Sequence, residues 1–266
     1  MGFENMDKIS VIMGIYNCAQ TLAQALDCIV NQSYKNWEVI MCDDGSTDET
    51  VKVAETYVMR YPGKFILLKN KRNRGLNYTL NRCLKKADGV YIARMDGDDL
   101  CSTERFKREA ELLHDNPEIS IVSTAIEFFD EHGVWGRNYV KEKPEPIDFL
   151  QRTPFIHAAC MVKKEAYEAV SGYSVGERFL RVEDYHLWIK MYEKGYRGIN
   201  IQEPLYQMRN DQCAKERREI KYRINEAYIK AYAVRHLKLP IYGYLYCIKP
   251  ILSFFIPIQL YKKLNS

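Results

Sequence analysis

The sequence predicts an α/β protein built on a central, mostly parallel sheet with helices on its faces. Apolar runs of strand length alternate with amphipathic runs of helix length through the first hundred residues. In addition, acidic residues follow two of the apolar runs at the point where each run ends. Alternating strands and helices are typical of a doubly wound, Rossmann-like half, and uninterrupted apolar runs favour strands that are buried on both faces.

Four strands and three helices are expected in the first hundred residues. The expected strands are 8–16, 37–42, 65–68 and 90–95, and the expected helices are 21–30, 46–58 and 76–87. Thr21 is the candidate N-cap of the first helix, and Ser46 or Thr47 is the candidate N-cap of the second.

The pattern becomes less regular after Asp99. Further helices are expected at 103–114, 164–170 and 182–194, further strands at 120–129 and 155–162, and a proline-containing connector at 141–146. A strongly charged helix should open the last part of the chain, which runs from Asp211 to Ser266.

Composition narrows the class of protein. Of the 266 residues, 47% are hydrophobic and 28% are charged, which is ordinary globular usage, and a net charge of +4 does not call for nucleic acid. The eight cysteines form no CxxC pair and no Cys/His ligand spacing, so we expect reduced, mostly buried thiols of a cytosolic protein and no zinc site. The polar N-terminus predicts no signal peptide.

Two acidic clusters stand where buried strands should end. They read Asp43-Asp44-Gly45-Ser46-Thr47-Asp48 after the second expected strand and Asp96-Gly97-Asp98-Asp99 after the fourth. Ligands of open α/β sheets bind beyond the carboxyl ends of such strands. Neighbouring carboxylates repel one another unless a cation or hydrogen-bond donors are shared between them. A divalent metal with a phosphorylated ligand would meet that requirement.

Five motifs in this order make the chain resemble the family-two glycosyltransferases, which have a GT-A fold. They are Ser-Val-Ile-Met-x-x-Tyr-Asn (10–17), Asp-Asp-Gly-Ser-Thr-Asp (43–48), Asn73-Arg-Gly-Leu76 with Asn81, Ile-Ala-Arg-Met-Asp-Gly-Asp-Asp (92–99), and Glu183-Asp184 before Leu187-Trp188. Each motif is weak alone, but together they cover about Ile9 to Arg209.

The resemblance implies a GT-A domain over 1–212, with a nucleotide-binding half at about 1–100 and an acceptor half at 101–212. Residues 213–266 would then form a helical C-terminal extension. It also implies inverting, metal-dependent transfer of a sugar from a nucleotide-sugar, most simply a UDP-sugar, with Mn²⁺ or Mg²⁺ as cofactor. The acceptor would be a saccharide or a lipid-linked glycan in cell-surface polysaccharide biosynthesis.

The resemblance assigns donor and metal roles to the two acidic clusters. It implies that Asp44 reads the uracil, with Asp43 beside it. It makes Asp98 the direct metal ligand of a DxD motif and Asp96 a ligand of the ribose or the metal. The remaining expected donor contacts are the first-loop residues Gly14, Tyr16 and Asn17, together with Gly97 and Arg74. The alternatives from the residues alone are an Asp-Gly turn for the first cluster, a solvated turn for the second, and ordinary pairing for Arg74.

Glu183 and Asp184 are the candidate catalytic residues. An acceptor hydroxyl must lose its proton as it attacks the sugar, and a carboxylate in hydrogen-bond reach can take that proton. The resemblance implies that Asp184 is this base and that Glu183 orients it or touches the donor sugar. The alternative is an acidic first turn that complements the helix dipole. His157 falls where the family often has a histidine near the acceptor, and a purely structural histidine is equally expected.

The chain departs from the family pattern at three places. Gly14 replaces the usual proline of the first loop, and Ser102-Thr103 replaces the usual proline before Glu104-Arg105. Asn210 stands where a histidine often follows a segment like Tyr206-Gln207-Met208-Arg209. None of these changes removes a carboxylate.

The apolar stretch 239–260 leaves three interpretations open. It is nearly long enough to span a membrane, but Lys249, Pro250 and Pro257 lie inside it, and a lysine at mid-bilayer costs roughly 2.5–3.5 kcal/mol. The alternatives are an interfacial segment and a segment packed on the core of the protein. We expect the interfacial one, with peripheral attachment to the cytoplasmic face of the plasma membrane.

Two functions other than sugar transfer are compatible with parts of the sequence. Residues 91–100 loosely resemble the start of a haloacid-type phosphatase with Asp96 as nucleophile, but Leu100 occupies the position of a required hydroxyl. A non-catalytic nucleotide-sugar or cation-binding module is the other alternative, and the presence of Asp184 argues against it.

Overall fold

The structure is a computed structural model that describes residues 7–210 and 219–255. Within these residues, nine strands form one sheet. They are β1 (Ile9–Ile15), β2 (Trp37–Asp43), β3 (Phe65–Lys69), β4 (Tyr91–Arg94), β5 (Leu100–Cys101), β6 (Ile119–Asp130), β7 (Gly133–Asn138), β8 (Cys160–Lys163) and β9 (Arg197–Arg209).

Helices cover both faces of the sheet. The α-helices are α1 (Leu22–Val30), α2 (Thr50–Arg60), α3 (Leu76–Lys86), α4 (Arg105–Asp115), α5 (Lys164–Ala169), α6 (Glu183–Glu193), α7 (Ile220–His236) and α8 (Ile248–Phe255). Short 3₁₀ helices occupy Pro146–Leu150, His157–Ala159, Glu177–Phe179 and Ile241–Cys247.

The strand order is β3-β2-β1-β4-β8-β6-β9-β5, and β7 pairs with β6 outside this path. Strands β3, β2, β1 and β4 are parallel, as expected for a doubly wound half. Strand β8 runs antiparallel to both of its neighbours, β4 and β6, while β6 and β9 are parallel. The predicted fold class, a mostly parallel α/β sheet between helices, is confirmed.

The burial of β1 explains its unbroken apolar sequence. Neighbouring strands pair with both of its edges. On one face Val11 and Met13 join the core cluster that includes α1, and on the other face Ile12 joins the cluster that includes α3. A strand covered on both faces cannot show polar alternation.

The second helix begins later than predicted. It starts at Thr50, with Glu49 in the cap position, and neither Ser46 nor Thr47 caps it. Both residues instead bind the first loop, since the Ser46 hydroxyl accepts from the Asn17 amide and the Thr47 amide donates to the Asn17 side chain. The prediction was wrong here because these contacts join parts of the chain that are distant in sequence.

The strand predicted at 155–162 is also shorter than expected. Only Cys160–Lys163 is a strand, and a 3₁₀ turn precedes it at His157–Ala159. The Ser123 hydroxyl donates to the carbonyl of Ile156 and accepts from its amide, both at 3.2 Å. A side chain therefore satisfies the backbone of Ile156 in place of a sheet partner.

Strands β5, β7 and β9 were not predicted. Strand β9 is thirteen residues long, but it contains Pro204 and Gly198, both of which argue against a strand. Gly198 is needed for packing, because a Cβ there would lie 2.4 Å from Cζ of Phe155. The register irregularities between Thr124 and Ile126 accommodate Pro204, which pairs with Ala125.

The C-terminal helices pack on the part of the chain that contains α6. Helix α7 contacts α6 and the 3₁₀ helix Pro146–Leu150. Within residues 7–210 and 219–255, no helix combines the length and the apolar character that crossing a bilayer requires. The expected charged helix at the start of this region falls partly on residues 211–218, which lie outside the described part of the chain.

Candidate active site

A crevice of about 570 Å³ opens at the carboxyl ends of β1 and β4. It is lined by Gly14, Tyr16, Asn17, Cys18, Ala19, Gln20, Thr21, Asp48, Asp96, Gly97, Asp98 and Arg209. The sequence-predicted donor residues of the first loop and the DxD motif therefore meet in one place. Asp43, Asp44, Arg74, His157, Glu183 and Asp184 are not among the lining residues.

Hydrogen bonds to the segment after β2 shape the loop that forms one wall of the crevice. Asn17 has a positive φ of 48°, which an asparagine tolerates better than most residues. The Cys18 amide donates to the Thr50 hydroxyl at 2.8 Å, and the Ala19 amide donates to the Asp48 carboxylate at 3.1 Å. The loop is thereby fixed, and Tyr16, which is 48% exposed, is left on its surface.

Asp44 is buried and is bound by donors from one loop. Its Oδ1 accepts from the Asn70 side chain at 2.7 Å and from the Arg74 amide at 2.8 Å, and its Oδ2 accepts from the Gly75 amide at 2.8 Å. The protein thus fills three of the roughly four acceptor positions of a carboxylate. Asp44 fixes the turn before α3 and retains limited capacity for a base.

Asp43 has a similar internal role. It is buried, and its carboxylate accepts from the amides of Gly45 and Ser46. This is the Asp-Gly turn that the sequence left open as an alternative. Gly45 has a φ of +79°, and a Cβ there would lie 2.9 Å from the backbone of Arg72.

Arg74 does not face the crevice. It is exposed, and its guanidinium lies 4.5 Å from the centre of the Tyr78 ring, within cation–π distance. Its backbone amide, rather than its side chain, contacts Asp44. A role in donor binding for its guanidinium stays a prediction.

Asp96 is paired with a buried arginine. Arg94 Nη2 lies 2.7 Å from Asp96 Oδ1, and the Arg94 side chain is almost fully buried. Asp96 itself is partly buried and lines the crevice. Arg94 is thus part of a buried ion pair at the edge of the core.

Asp98 is exposed at the crevice, and its pKa is raised. Desolvation within the crevice is the first cause, and repulsion from Asp96 is the second. A bound cation would relieve that repulsion. Gly97 between them is buried, and a Cβ there would lie 2.9 Å from Cys18 Sγ, so the backbone packs too closely on Cys18 to leave room for a side chain.

Asp99, next to the DxD motif, is hydrogen-bonded to residues at the end of β9. It is buried, and it accepts from the Tyr206 hydroxyl at 2.7 Å and from the Arg209 amide at 2.8 Å. The Tyr206 hydroxyl also accepts from the Asp96 amide at 3.2 Å. Burial and the neighbouring charges of Asp96 and Asp98 raise the pKa of Asp99 to about 7.

Arg209 is the cation of the crevice, and it was not among the predicted site residues. Its Nε donates to the Asp98 carbonyl at 3.0 Å, and its guanidinium stacks on Phe129 at 4.5 Å. The guanidinium can therefore meet an anionic ligand held by the aspartates. The segment Tyr206-Gln207-Met208-Arg209 indicated this arginine in the sequence. The strand that contains the segment, β9, was not predicted.

Asp184 lies in the first turn of α6. The Thr153 hydroxyl donates to its Oδ2 at 3.3 Å. Desolvation raises its pKa to about 6, repulsion from Glu183 adds to this rise, and attraction to Arg94 opposes it. Arg94 therefore links the two candidate halves of the site, since it pairs with Asp96 and acts on Asp184. A carboxylate with this pKa is ionised at neutral pH and is a stronger base than a surface aspartate.

His157 lies beside this region but is tied to the protein core. Its Nε2 is 2.7 Å from the Tyr173 hydroxyl, and its ring packs against Tyr173 and Trp188. Burial, and secondly the charge of Arg94, hold its pKa well below the usual value. These contacts favour the structural alternative, and contact with an acceptor stays a prediction.

Helix α7 holds the two segments that lead to Asp184 and to its partner Thr153. The Asn225 side chain donates to the carbonyls of Glu177 and Leu180, which precede α6. The buried Lys230 ammonium donates to the carbonyls of Leu150 and Gln151 at 2.8 and 3.0 Å, just before Thr153. The C-terminal region is thus part of the support of the candidate base.

The acidic crevice fits a divalent cation that is shared with a ligand. Within residues 7–210 and 219–255, no three His, Cys, Asp or Glu side chains converge to form a complete metal cage. Mg²⁺ and similar hard cations are commonly held by one or two carboxylates together with substrate phosphates and water. Asp98 and Asp96 would be the carboxylates of such a site, and Arg209 lines the same crevice.

Comparison with known proteins agrees with this geometry. The family model described as Glycosyl transferase family 2 matches residues 10–179. The putative glycosyltransferase EpsE of Bacillus subtilis is 44% identical over 250 residues, covering 94% of this chain and 90% of EpsE. An Escherichia coli UDP-Gal:α-D-GlcNAc-diphosphoundecaprenol β-1,3-galactosyltransferase is 33% identical, covering 84% of this chain and 82% of that protein.

Solved structures share the fold. Staphylococcus aureus TarS 1–349 in complex with UDP-GlcNAc aligns with a TM-score of 0.69 and 17% identity, covering 93% of this chain and 71% of that one. The mannosyltransferase PcManGT from Pyrobaculum calidifontis, in complex with GDP-Man and Mn²⁺, aligns with a TM-score of 0.66 and 20% identity, covering 99% of this chain and 80% of that one.

Proposed function

Because the chain belongs to Glycosyl transferase family 2 and is a glycosyltransferase, we propose that it uses a nucleotide-sugar, a UDP-sugar, as donor. Transfer inverts the anomeric configuration and depends on Mn²⁺ or Mg²⁺. The acceptor is a saccharide or a lipid-linked glycan, and the product is part of a cell-surface polysaccharide. The observation that carries the proposal is the meeting of Asp96, Asp98 and Arg209 in one crevice with the loop after β1.

The crevice supports binding of a nucleoside diphosphate. Asp98 and Asp96 would hold the cation, and Arg209 would neutralise the diphosphate from the side. The bound cation stabilises the charge that grows on the leaving diphosphate. Tyr16 and Asn17 form the wall available to the nucleoside, and Asp44 holds the neighbouring turn.

Asp184 supports the proton transfer. In the proposed reaction the acceptor hydroxyl attacks the anomeric carbon from the side opposite the diphosphate, and its proton passes to a carboxylate oxygen of Asp184. Thr153 fixes one oxygen of this carboxylate, and the raised pKa increases its basicity. The charge of Glu183 adds to the rise in that pKa, and the charge of Arg94 opposes the rise.

Printed names of relatives suggest the class of acceptor. The Escherichia coli relative above acts on a sugar linked to diphosphoundecaprenol, and a second one, WfaP, has a name of the same form with UDP-Glc as donor. By analogy we assign this chain a lipid-linked acceptor, and therefore a position at the cytoplasmic face of the plasma membrane. The division into 1–212 and 213–266 is part of the same proposal, with α7 as support of the base.

The rival functions have less support. Membership in a transferase family removes the reason to consider a phosphatase, and Leu100 lies in strand β5. A non-catalytic module would not need Asp184 to be held with a raised pKa beside Arg94.

A donor panel tests the proposal. The protein is heated with UDP-sugars and GDP-mannose, each with and without Mn²⁺, and unfolding is monitored. A donor present at about 100 times its dissociation constant stabilises the folded state by about 2.7 kcal/mol. We expect one UDP-sugar to raise the Tm only with Mn²⁺ and to be consumed when acceptor is added. Stabilisation that is equal for all donors and independent of metal would contradict the proposal.

A further inference from the structure

The segment 241–252 presents apolar side chains to solvent on consecutive turns. Ile241 is 85% exposed and Leu245 is 67% exposed on the 3₁₀ helix, and Leu252 is 59% exposed on α8. Tyr242, Tyr244 and Ile248 are also exposed. We name this set, Ile241, Tyr242, Tyr244, Leu245, Ile248 and Leu252, the apolar ridge. Large clusters of this kind mark sites of interaction with proteins or membranes.

The segment that carries the apolar ridge has charges of one sign only. From residue 227 to residue 266 the sequence contains no Asp or Glu. It contains six basic residues, which are Lys230, Arg235, Lys238, Lys249, Lys262 and Lys263. Arg235, Lys238 and Lys249 are exposed beside the ridge, whereas Lys230 is buried. Exposed aliphatic and tyrosine side chains in a segment whose own charges are all basic are typical of surfaces that enter the headgroup zone of anionic bilayers.

The ridge is held on the protein by buried residues of the same segment. A Cβ at Gly243 would lie 2.8 Å from Val234 of α7 and 2.9 Å from Leu150, so only a glycine fits this contact. Pro250 is buried on the same side. The segment therefore has an inner face that packs on the protein and an outer face that is exposed and has no partner among the described residues.

The docking contact of the ridge is close in the chain to the candidate base. Leu150, which contacts Gly243, also has its carbonyl bound by Lys230. Thr153, three residues later, donates to Asp184. A surface bound at the ridge would thus be connected, through residues 150–153, to the candidate base.

We propose that the apolar ridge is a docking surface for an anionic lipid bilayer and that it holds the acceptor side of the enzyme at the membrane. The aliphatic side chains insert among the acyl chains, the tyrosines lie at the headgroups, and Arg235, Lys238 and Lys249 contact lipid phosphates. The proposed donor chemistry does not depend on this surface, although the assignment of a lipid-linked acceptor is strengthened by it.

Co-sedimentation of the full chain with vesicles tests the proposal. The vesicles contain phosphatidylcholine alone or with about 30% phosphatidylglycerol, a typical anionic lipid fraction. We expect the protein to pellet with anionic vesicles and to remain in the supernatant with neutral ones. The triple variant Ile241→Ser, Leu245→Ser, Leu252→Ser should bind at least about tenfold more weakly, because it removes most of the inserted aliphatic area.

Two further variants act as controls. Met59→Ser removes a side chain that is 74% exposed on α2, far from the ridge in sequence, and should leave vesicle binding unchanged. Lys238→Glu with Lys249→Glu should weaken binding, with a greater loss at about 0.1 M salt than at about 0.5 M salt, because salt screens exposed charges. All variants should keep the wild-type Tm and the wild-type Mn²⁺-dependent donor binding, so failure of the membrane proposal is distinguishable from failure of the donor proposal.

Two outcomes would overturn the proposal. One is a wild-type protein that stays in the supernatant with anionic vesicles, or a triple variant that pellets like the wild type. The other is a wild-type dimer, measured by light scattering, that the triple variant converts to a monomer while vesicle binding persists. The ridge would then be an interface between two copies of the chain.

Discussion

The two acidic clusters at the edge of the sheet look alike in sequence but differ in what binds their oxygens. The carboxylates of Asp43 and Asp44 are buried and accept hydrogen bonds from the amides of neighbouring turns. Asp98 is exposed at the crevice, and Asp96 has one oxygen paired with Arg94. Asp43 and Asp44, which we call the closed cluster, shape the loops of the site. Asp96 and Asp98, which we call the open cluster, keep oxygens available for a ligand. Position at a strand end therefore does not by itself separate a positioning residue from a binding one.

The largest effect on activity is expected from a substitution in the open cluster. Asp98→Ala should lower kcat/KM by about 10⁴-fold, or about 5.5 kcal/mol, because it removes the main carboxylate from the proposed cation site. The Tm should not fall, since Asp98 is exposed and repelled by Asp96. Steady-state transfer assays and thermal unfolding measure the two quantities. Asp115→Ala, which removes another exposed aspartate, should change neither.

The candidate base gives the next largest effect. Asp184→Asn should lower kcat by about 10³-fold, which is within the range for loss of a general base. Donor binding in the presence of Mn²⁺ should be unchanged, because Asp184 does not line the crevice. Isothermal calorimetry with UDP separates binding from turnover. A variant that retains full turnover would show that another group accepts the proton.

The pH dependence of turnover follows from the same residue. Burial raises the pKa of Asp184 to about 6, so in the wild type kcat should fall about tenfold per pH unit below pH 6 as the base becomes protonated. Glu183→Gln removes a repulsion that contributes to the raised pKa. The acidic limb of its pH–rate profile should therefore move to lower pH. A shift to higher pH, or none, would contradict this assignment.

Substitution in the closed cluster should lower the stability of the folded protein rather than its catalytic activity. Asp44→Asn replaces one acceptor oxygen with an amide group that faces the N–H of Arg74 or Gly75, which leaves a buried donor unpaired at a cost of about 1–3 kcal/mol. We expect a loss of roughly 2–4 °C in Tm per kcal/mol. The matched variant Asp98→Asn, which changes the same group in the open cluster, should keep the wild-type Tm.

The parts of the fold that depend on short-range pattern were predictable from the sequence. The buried strands β1, β2 and β4, the helices between them and the two acidic clusters all carry their signal within a dozen residues. The meeting of the DxD motif with the loop after β1 also followed, because carboxyl ends of parallel strands share one edge of the sheet.

The parts that depend on distant partners were not predictable. Strand β9 is sustained by pairing with β6 in spite of Pro204, and it brings Arg209 to the crevice from more than a hundred residues away. The carboxylate of Asp44 is occupied because it accepts hydrogen bonds from the backbone amides of Arg74 and Gly75. Nothing near either residue in the sequence specifies these contacts, so the local motif identified the cluster but not its role.

The central claim is that the open cluster holds a cation together with a diphosphate. Isothermal calorimetry of UDP binding, with and without saturating Mn²⁺, tests it most directly in the wild type and in Asp98→Asn. We predict that Mn²⁺ strengthens UDP binding at least about tenfold in the wild type, which is about 1.4 kcal/mol, and that Asp98→Asn abolishes this increase. Equal UDP affinity with and without Mn²⁺ in the wild type, or an unchanged increase in Asp98→Asn, would contradict the account.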